Sequence, residues 1–169
     1  MSSSSLRFTK TTFVLFAALF VAGCFRPMYG GVEGSALRSE LAAIQIDPIQ
    51  ERAGYYLANE LRFALNGTGD TVQPKYRLQI NLRERVQTSL VDTISQRATA
   101  GSVVMDADYK LTAIDGGAPI LSGVAFTFSS YDRTSQRFAN IRAARDAEIR
   151  DAKNLAEQIK TRISAAVVK

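Results

Sequence analysis

Histidine is absent from this 169-residue chain, and cysteine occurs once. Without imidazole, Ser-His and Cys-His nucleophile pairs, histidine general bases and histidine metal ligands are all excluded. A lone cysteine cannot form an intramolecular disulfide, so stability has to come from packing. Tryptophan is also missing, and proline is held to four positions. No Ser-x-x-Lys occurs. Asp106 and Asp108 stand two residues apart on one strand face and could imitate a carboxylate pair. Lys110 continues that face, so a solvated, salt-bridged row is the simpler account. Glycoside hydrolysis needs two carboxylates about 5 to 9.5 Å apart across a cleft, and no pattern here marks a cleft. The residues speak against an enzyme, and neither a cofactor nor a metal is expected.

What is present starts at the N-terminus. Arg7 and Lys10 precede an apolar run from Phe13 to Gly23, and the single Cys24 closes it. A basic n-region, a short apolar h-region and a small-residue cleavage site are the anatomy of a secretory signal. A spanning helix needs about 20 apolar residues, and Arg26 stops this run short of that. Val21-Ala22-Gly23-Cys24 resembles the lipobox of bacterial lipoproteins, in which cleavage between Gly23 and Cys24 makes the lipidated cysteine the first mature residue. Its thiol then carries a diacylglyceryl group and its amine an acyl chain such as palmitate. One acyl chain binds a membrane only marginally, whereas several anchor it stably. Phe25 follows the cysteine, in place of the Asp that resembles an inner-membrane retention signal, so an outer-membrane address is expected.

Residues 1–23 are read as the signal peptide, 24–42 as a lipidated tether and 43–169 as one domain, long enough for a core. The full chain carries 21 Lys and Arg against 16 Asp and Glu, a formal charge of +5, and loses Arg7 and Lys10 with the signal. Nucleic acid is not an expected partner of an exported lipoprotein. The anions within its reach are phospholipid head groups, lipopolysaccharide phosphates and acidic proteins.

Turn signals at Arg26-Pro27, Tyr29-Gly30-Gly31 and Gly34-Ser35, without sustained periodicity, give the tether reading. Ala43 to Ile46 is a plausible first strand. Asp47-Pro48 with Gln50 reads as a helix start, with Ala53, Leu57, Leu61 and Ala64 on one face and a stop at Asn66-Gly67. Tyr76, Leu78, Ile80 and Leu82 alternate with polar residues, as do Val103, Met105, Ala107, Tyr109 and Leu111. The turn Asp115-Gly116-Gly117 leads to a segment in which Val124, Phe126 and Phe128 share a face. Short connections argue for an antiparallel meander. From about Phe138 to Val167 the period becomes helical, with a stripe of Ile141, Ala144, Ala152, Leu155, Ile159, Ile163 and Ala166. The expected fold class is α+β, a two-layer sandwich of order β-α-β-β-β-α. Two helices cover one face of a four-stranded mixed sheet, and the first crossover is long enough to set strand one parallel to its neighbour.

Cys24-Phe25-Arg26-Pro27-Met28-Tyr29-Gly30 resembles the Cys-Gly-Phe-Arg-Pro-Leu-Tyr-Gly opening of alphaproteobacterial lipopolysaccharide-assembly lipoproteins, the LptE family, without the Gly usual after the cysteine. The resemblance continues through Glu60-Leu61-Arg62, Pro74-Lys75-Tyr76-Arg77-Leu78, Ala143-Ala144-Arg145-Asp146-Ala147-Glu148 and the segment from Asn154 to Ile163. It implies a non-catalytic subunit that plugs the outer-membrane β-barrel LptD, supports its assembly and contacts lipopolysaccharide on its way to the outer leaflet. From chemistry alone, Arg83, Arg85 and Arg97 are candidate lipopolysaccharide contacts, because a guanidinium fork suits phosphate bidentately. A solvated basic face is the plainer reading of the same residues. A generic envelope lipid-binding or shuttling lipoprotein is the alternative function, and it would need an apolar groove for acyl chains.

Overall fold

The structure is a computed structural model that describes residues 31–67, 69, 72–91 and 98–167. Two compact units divide the chain at residue 36, and of the first only residues 31–36 are described. In chain order the elements are α1 (Gly31–Ala42), β1 (Ile44–Ile46), α2 (Glu51–Leu65), β2 (Tyr76–Val91), β3 (Ala98–Ala113), β4 (Leu121–Asp132) and α3 (Arg137–Val167). One sheet runs β1-β2-β3-β4. β1 is parallel to β2 through Ile44 opposite Tyr76, and the other pairs are antiparallel. The α+β class, the mixed sheet and the parallel first pair are as the sequence predicts.

Alternation along the strands places the core. Leu78 lies opposite Leu111, and Leu82 opposite Ala107. Ala107 lies opposite Ala125, and Met105 opposite Thr127. These side chains share the inner face, where α2 brings Ala53, Leu57 and Leu61, and α3 brings Ala152, Leu155, Ile159 and Ile163, all buried. Small buried residues on both sides, Ala107 and Ala125 on the sheet and Ala152 and Ala156 on the helix, let α3 lie close to the sheet. Glycine makes room where Tyr109 crosses to β4: a Cβ on Gly123 would stand 2.6 Å from the Tyr109 hydroxyl oxygen, and the ring would have to shift.

Three expectations need correction. Residues 31–42, assigned above to the tether, form helix α1. Leu37 and Leu41, four apart on one face, are buried in the core, so a pattern too short to show a period was settled by packing. Asp47 does not cap α2. Its N–H donates to the Leu78 carbonyl at 3.0 Å, continuing the pairing of β1 with β2, and its carboxylate accepts from Gln79 at 3.2 Å. The helix therefore begins at Glu51 with Gln50 as N-cap. Finally, the stripe on α3 is displaced at its start. Ile141 is exposed and Ala144 half-buried, while Ala147, Glu148 and Asp151 are buried.

Candidate functional site

The outer face of the sheet carries both candidate arginines that the structure describes. On β2, Arg77, Gln79, Asn81, Arg83 and Arg85 point away from the helices because their odd-numbered positions alternate with the buried set. Arg83 Nη2 lies 2.7 Å from Asp108 Oδ2, and Arg85 Nη2 lies 2.5 Å from Asp106 Oδ2. Both pairs run diagonally, since the residues opposite Arg83 and Arg85 are Asp106 and Val104. The acidic row is thus salt-bridged, as the sequence suggests, with arginines of the neighbouring strand as its partners. Each guanidinium has five N–H donors and stays more than half exposed, so donors remain for a second anion. That anion must compete with a carboxylate already in place. Gly23, Cys24 and Arg97 lie outside the described residues.

Beside this charged row, β4 turns Val124, Phe126 and Phe128 outward, exposed by 56%, 51% and 61%. Their shared face is legible in the sequence, but it is the outer one. The Phe126 and Phe128 rings stand 6.3 Å apart, and Val104, opposite Phe128, is buried at their base. With β3 between them, the β4 strip and the β2 arginines present apolar area and guanidinium donors on one face of the sheet. Two depressions lie nearby in chain order. One of about 280 Å³ is lined by Gln79, Asn81, Asp108 and Lys110 on the outer face. Another of about 430 Å³ lies between β1 and the end of α2, with Arg62 on its wall.

The inner face holds a second polar cluster that the sequence reading missed. Arg52 grips Glu148 with two bonds, Nε to Oε2 at 2.9 Å and Nη2 to Oε1 at 2.5 Å. This hydrogen bonding, then the charge of Glu148, raises the Arg52 pKa. Asp151 is fully buried; its Oδ1 accepts from Ser129 at 2.7 Å and Thr127 at 3.2 Å. Its Oδ2 is buried without a hydrogen-bond partner. Burial pushes the Asp151 carboxyl up, and the two hydroxyl bonds hold it back in part. Glu84 is also raised, first by burial and next by the Glu148 charge. Perturbed carboxyls can mark a reactive site, yet Asp151 is spent on fixing α3 to β4, as the Arg52–Glu148 pair fixes α3 to α2. The signal for this cluster was available in Thr127 and Ser129, polar residues at inner-face positions of β4. Among the described residues no group of three or more Cys, Asp or Glu could hold a metal ion, and no helix is long and apolar enough to cross a membrane.

A mixed four-stranded sheet with helices on one face and a solvent-facing second surface defines a two-layer α+β domain shared with solved bacterial lipoproteins. A Caulobacter crescentus CB15 protein described as a lipoprotein superposes with a TM-score of 0.66 at 23% identity, covering 80% of this chain and 98% of that one. A minor lipoprotein from Acinetobacter baumannii gives 0.57 at 17% identity, over 72% and 90% of the two chains. The rare lipoprotein B from Shewanella oneidensis gives 0.56 at 9%, over 74% and 96%. At these identities the likeness is one of fold. No curated protein sequence matches the chain. The model of the family LptE, Lipopolysaccharide-assembly, matches residues 41–163, and the chain belongs to that family, whose members are lipoproteins and not enzymes.

Proposed function

We propose that this protein is the outer-membrane lipoprotein subunit of the lipopolysaccharide assembly complex, acting as plug and assembly partner of an LptD-type β-barrel and contacting lipopolysaccharide during its insertion. The observation that carries the reading is the family match over residues 41–163, and the lipobox ending at Cys24 supports the anchor. Cleavage after Gly23 and lipidation of Cys24 would hold the domain at the inner leaflet of the outer membrane with several acyl chains, enough for stable attachment. Arg83 and Arg85 offer spare guanidinium donors to phosphate, and the Val124, Phe126 and Phe128 strip on the same sheet face offers apolar contact to acyl chains. Arg97 stays a candidate on chemistry alone.

The test is purification of the tagged full-length protein from outer membranes in mild detergent. A plug brings down one large β-barrel at a one-to-one ratio and keeps it in moderate salt, because a buried contact is screened far less than exposed charge pairs. Depletion should lower the amount of assembled barrel and make cells sensitive to large hydrophobic antibiotics. Normal barrel levels and an intact permeability barrier would reject the plug and favour a lipid shuttle. Arg83→Gln with Arg85→Gln should weaken lipopolysaccharide binding more than barrel association. Neutral replacements suit this comparison, since charge reversal would crowd four carboxylates with Asp106 and Asp108.

A further inference from the structure

β4 lies at the end of the sheet order β1-β2-β3-β4 and is 12 residues long. Three of its large side chains, Val124, Phe126 and Phe128, are exposed. A long, apolar edge strand with free backbone groups is a template for adding a strand from another molecule. Here that edge is occupied from within the same chain. Arg162 Nη1 donates to the Val124 carbonyl at 2.5 Å, Gln158 Nε2 to the Phe126 carbonyl at 3.0 Å, and Arg150 Nη2 to the Ser130 carbonyl at 3.1 Å.

The spacing is regular. Four residues of α3 advance about 6.0 Å, and two residues of β4 about 6.8 Å, so one helix row keeps step with alternate carbonyls of the strand. Even-numbered β4 residues turn both carbonyl and N–H to the free side, since the two groups of one residue point the same way in an antiparallel strand. The rungs pair 162 with 124, 158 with 126 and 150 with 130. By the same spacing Asn154 falls level with Phe128, and its side chain makes no hydrogen bond among the described residues. Two rungs are held in place by further contacts. Arg150 is paired with Asp146 one turn earlier, and Arg162 Nη1 also lies 3.4 Å from the Tyr109 hydroxyl.

We propose that Arg150, Gln158 and Arg162 form a ladder that closes the β4 edge to strand addition by a second copy of this chain. An incoming strand needs the same carbonyls as acceptors, and it would have to displace two charge-assisted donors and one amide. The ladder thereby separates two properties of β4. Its apolar side chains remain open to a partner on the sheet face, while its backbone edge does not.

The test compares full-length protein in mild detergent by sedimentation velocity over a hundredfold range of concentration. Arg150→Ala, Gln158→Ala and Arg162→Ala together should turn a monomer into concentration-dependent dimers and larger species with added intermolecular β signal in the infrared. Arg142→Ala with Arg145→Ala removes the same charge off the ladder and should leave a monomer. Adding Ser130→Pro to the triple variant removes one outward N–H without touching the bonds to β3, and it should restore the monomer. A triple variant that folds by circular dichroism yet stays monomeric overturns the proposal, as does association that Ser130→Pro fails to reverse. Should the triple variant not fold, Gln158→Ala alone decides: self-association at the highest concentrations supports the ladder, and a monomer throughout overturns it.

Discussion

Replacing Arg52 by Ala removes one side of the pair that ties α2 to α3. Glu148 keeps only 3% of its side chain exposed, against 55% for Arg52. Breaking a fully buried pair from one side costs about 3 to 5 kcal/mol, and each hydrogen bond to a charged group about 1.5 to 3 kcal/mol. Because Arg52 is half in solvent, water reaches the space it leaves and lowers the loss to about 2 to 3 kcal/mol. For a domain of this size that is a fall in Tm of about 8 to 12 °C. Arg52→Ala with Glu148→Ala should be more stable than the sum of the single changes implies, since no charge is then left buried. The coupling should lie at about 1.5 to 3 kcal/mol. Urea unfolding of the four proteins of the cycle, followed by far-UV circular dichroism, measures it, provided the denaturant slope is unchanged. A loss below about 0.5 kcal/mol for Arg52→Ala, or strict additivity, would refute the view that this pair ties α2 to α3.

Leu155→Asp buries an unpaired charge among core residues and should cost about 4 kcal/mol or more, whereas Lys153→Asp on the exposed side should stay within about 0.5 kcal/mol; equal effects in a thermal melt would mean that the inward face of α3 is misassigned. Asp151 has a folded pKa above its unfolded value, so the folded protein takes up its proton first and gains stability as pH falls through that folded value. Asp151→Asn should therefore hold its advantage over the natural protein at neutral pH and lose it toward acid, and a pH-independent difference in melting temperature would contradict this. Glu40 behaves oppositely: its bonds from Lys75 at 2.5 Å and Tyr76 at 2.9 Å lower its pKa, so Glu40→Gln should cost stability at neutral pH and nothing in strong acid. Cys24→Ala should block lipid attachment and leave the chain uncut after Gly23. Mass spectrometry of the N-terminus reads this directly, and an unmodified Cys24 at the start of a mature chain would count against the anchor.

The strands were legible because a period of two is strict: Leu78, Ile80 and Leu82 on β2, and Val103 to Leu111 on β3, face the helices as their alternation predicts. Alternation cannot say which face is inner when both carry apolar residues. Between Leu121 and Tyr131 the inner residues of β4 are Gly123, Ala125, Thr127 and Ser129, small where α3 lies against them, and the larger Val124, Phe126 and Phe128 are turned out. Volume was decisive there, and only the position of α3 reveals it. α1 escaped notice because its buried face consists of Leu37 and Leu41, two residues on one turn. The same alternation puts Arg83 and Arg85 on one outer face of β2, and the structure has them there. Their commitment to Asp108 and Asp106 follows from the register of β2 on β3, which local sequence does not set.

The short β1 strand also bears on how the molecule opens. Three residues join it to β2, across a separation of 32 positions from Ile44 to Tyr76, while β2 and β3 pair along nearly all of their 16 residues across one connection. Loop closure over a long separation has to be met before so few bonds can form, so the hairpin can assemble early and β1 must dock late. In hydrogen exchange the amides of β1 should open through a smaller, lower-energy fluctuation than those of Leu78 to Leu82. The seam that yields first is then the one immediately after α1, at the entry of the chain into its sheet, and the β2–β3 hairpin persists when it parts.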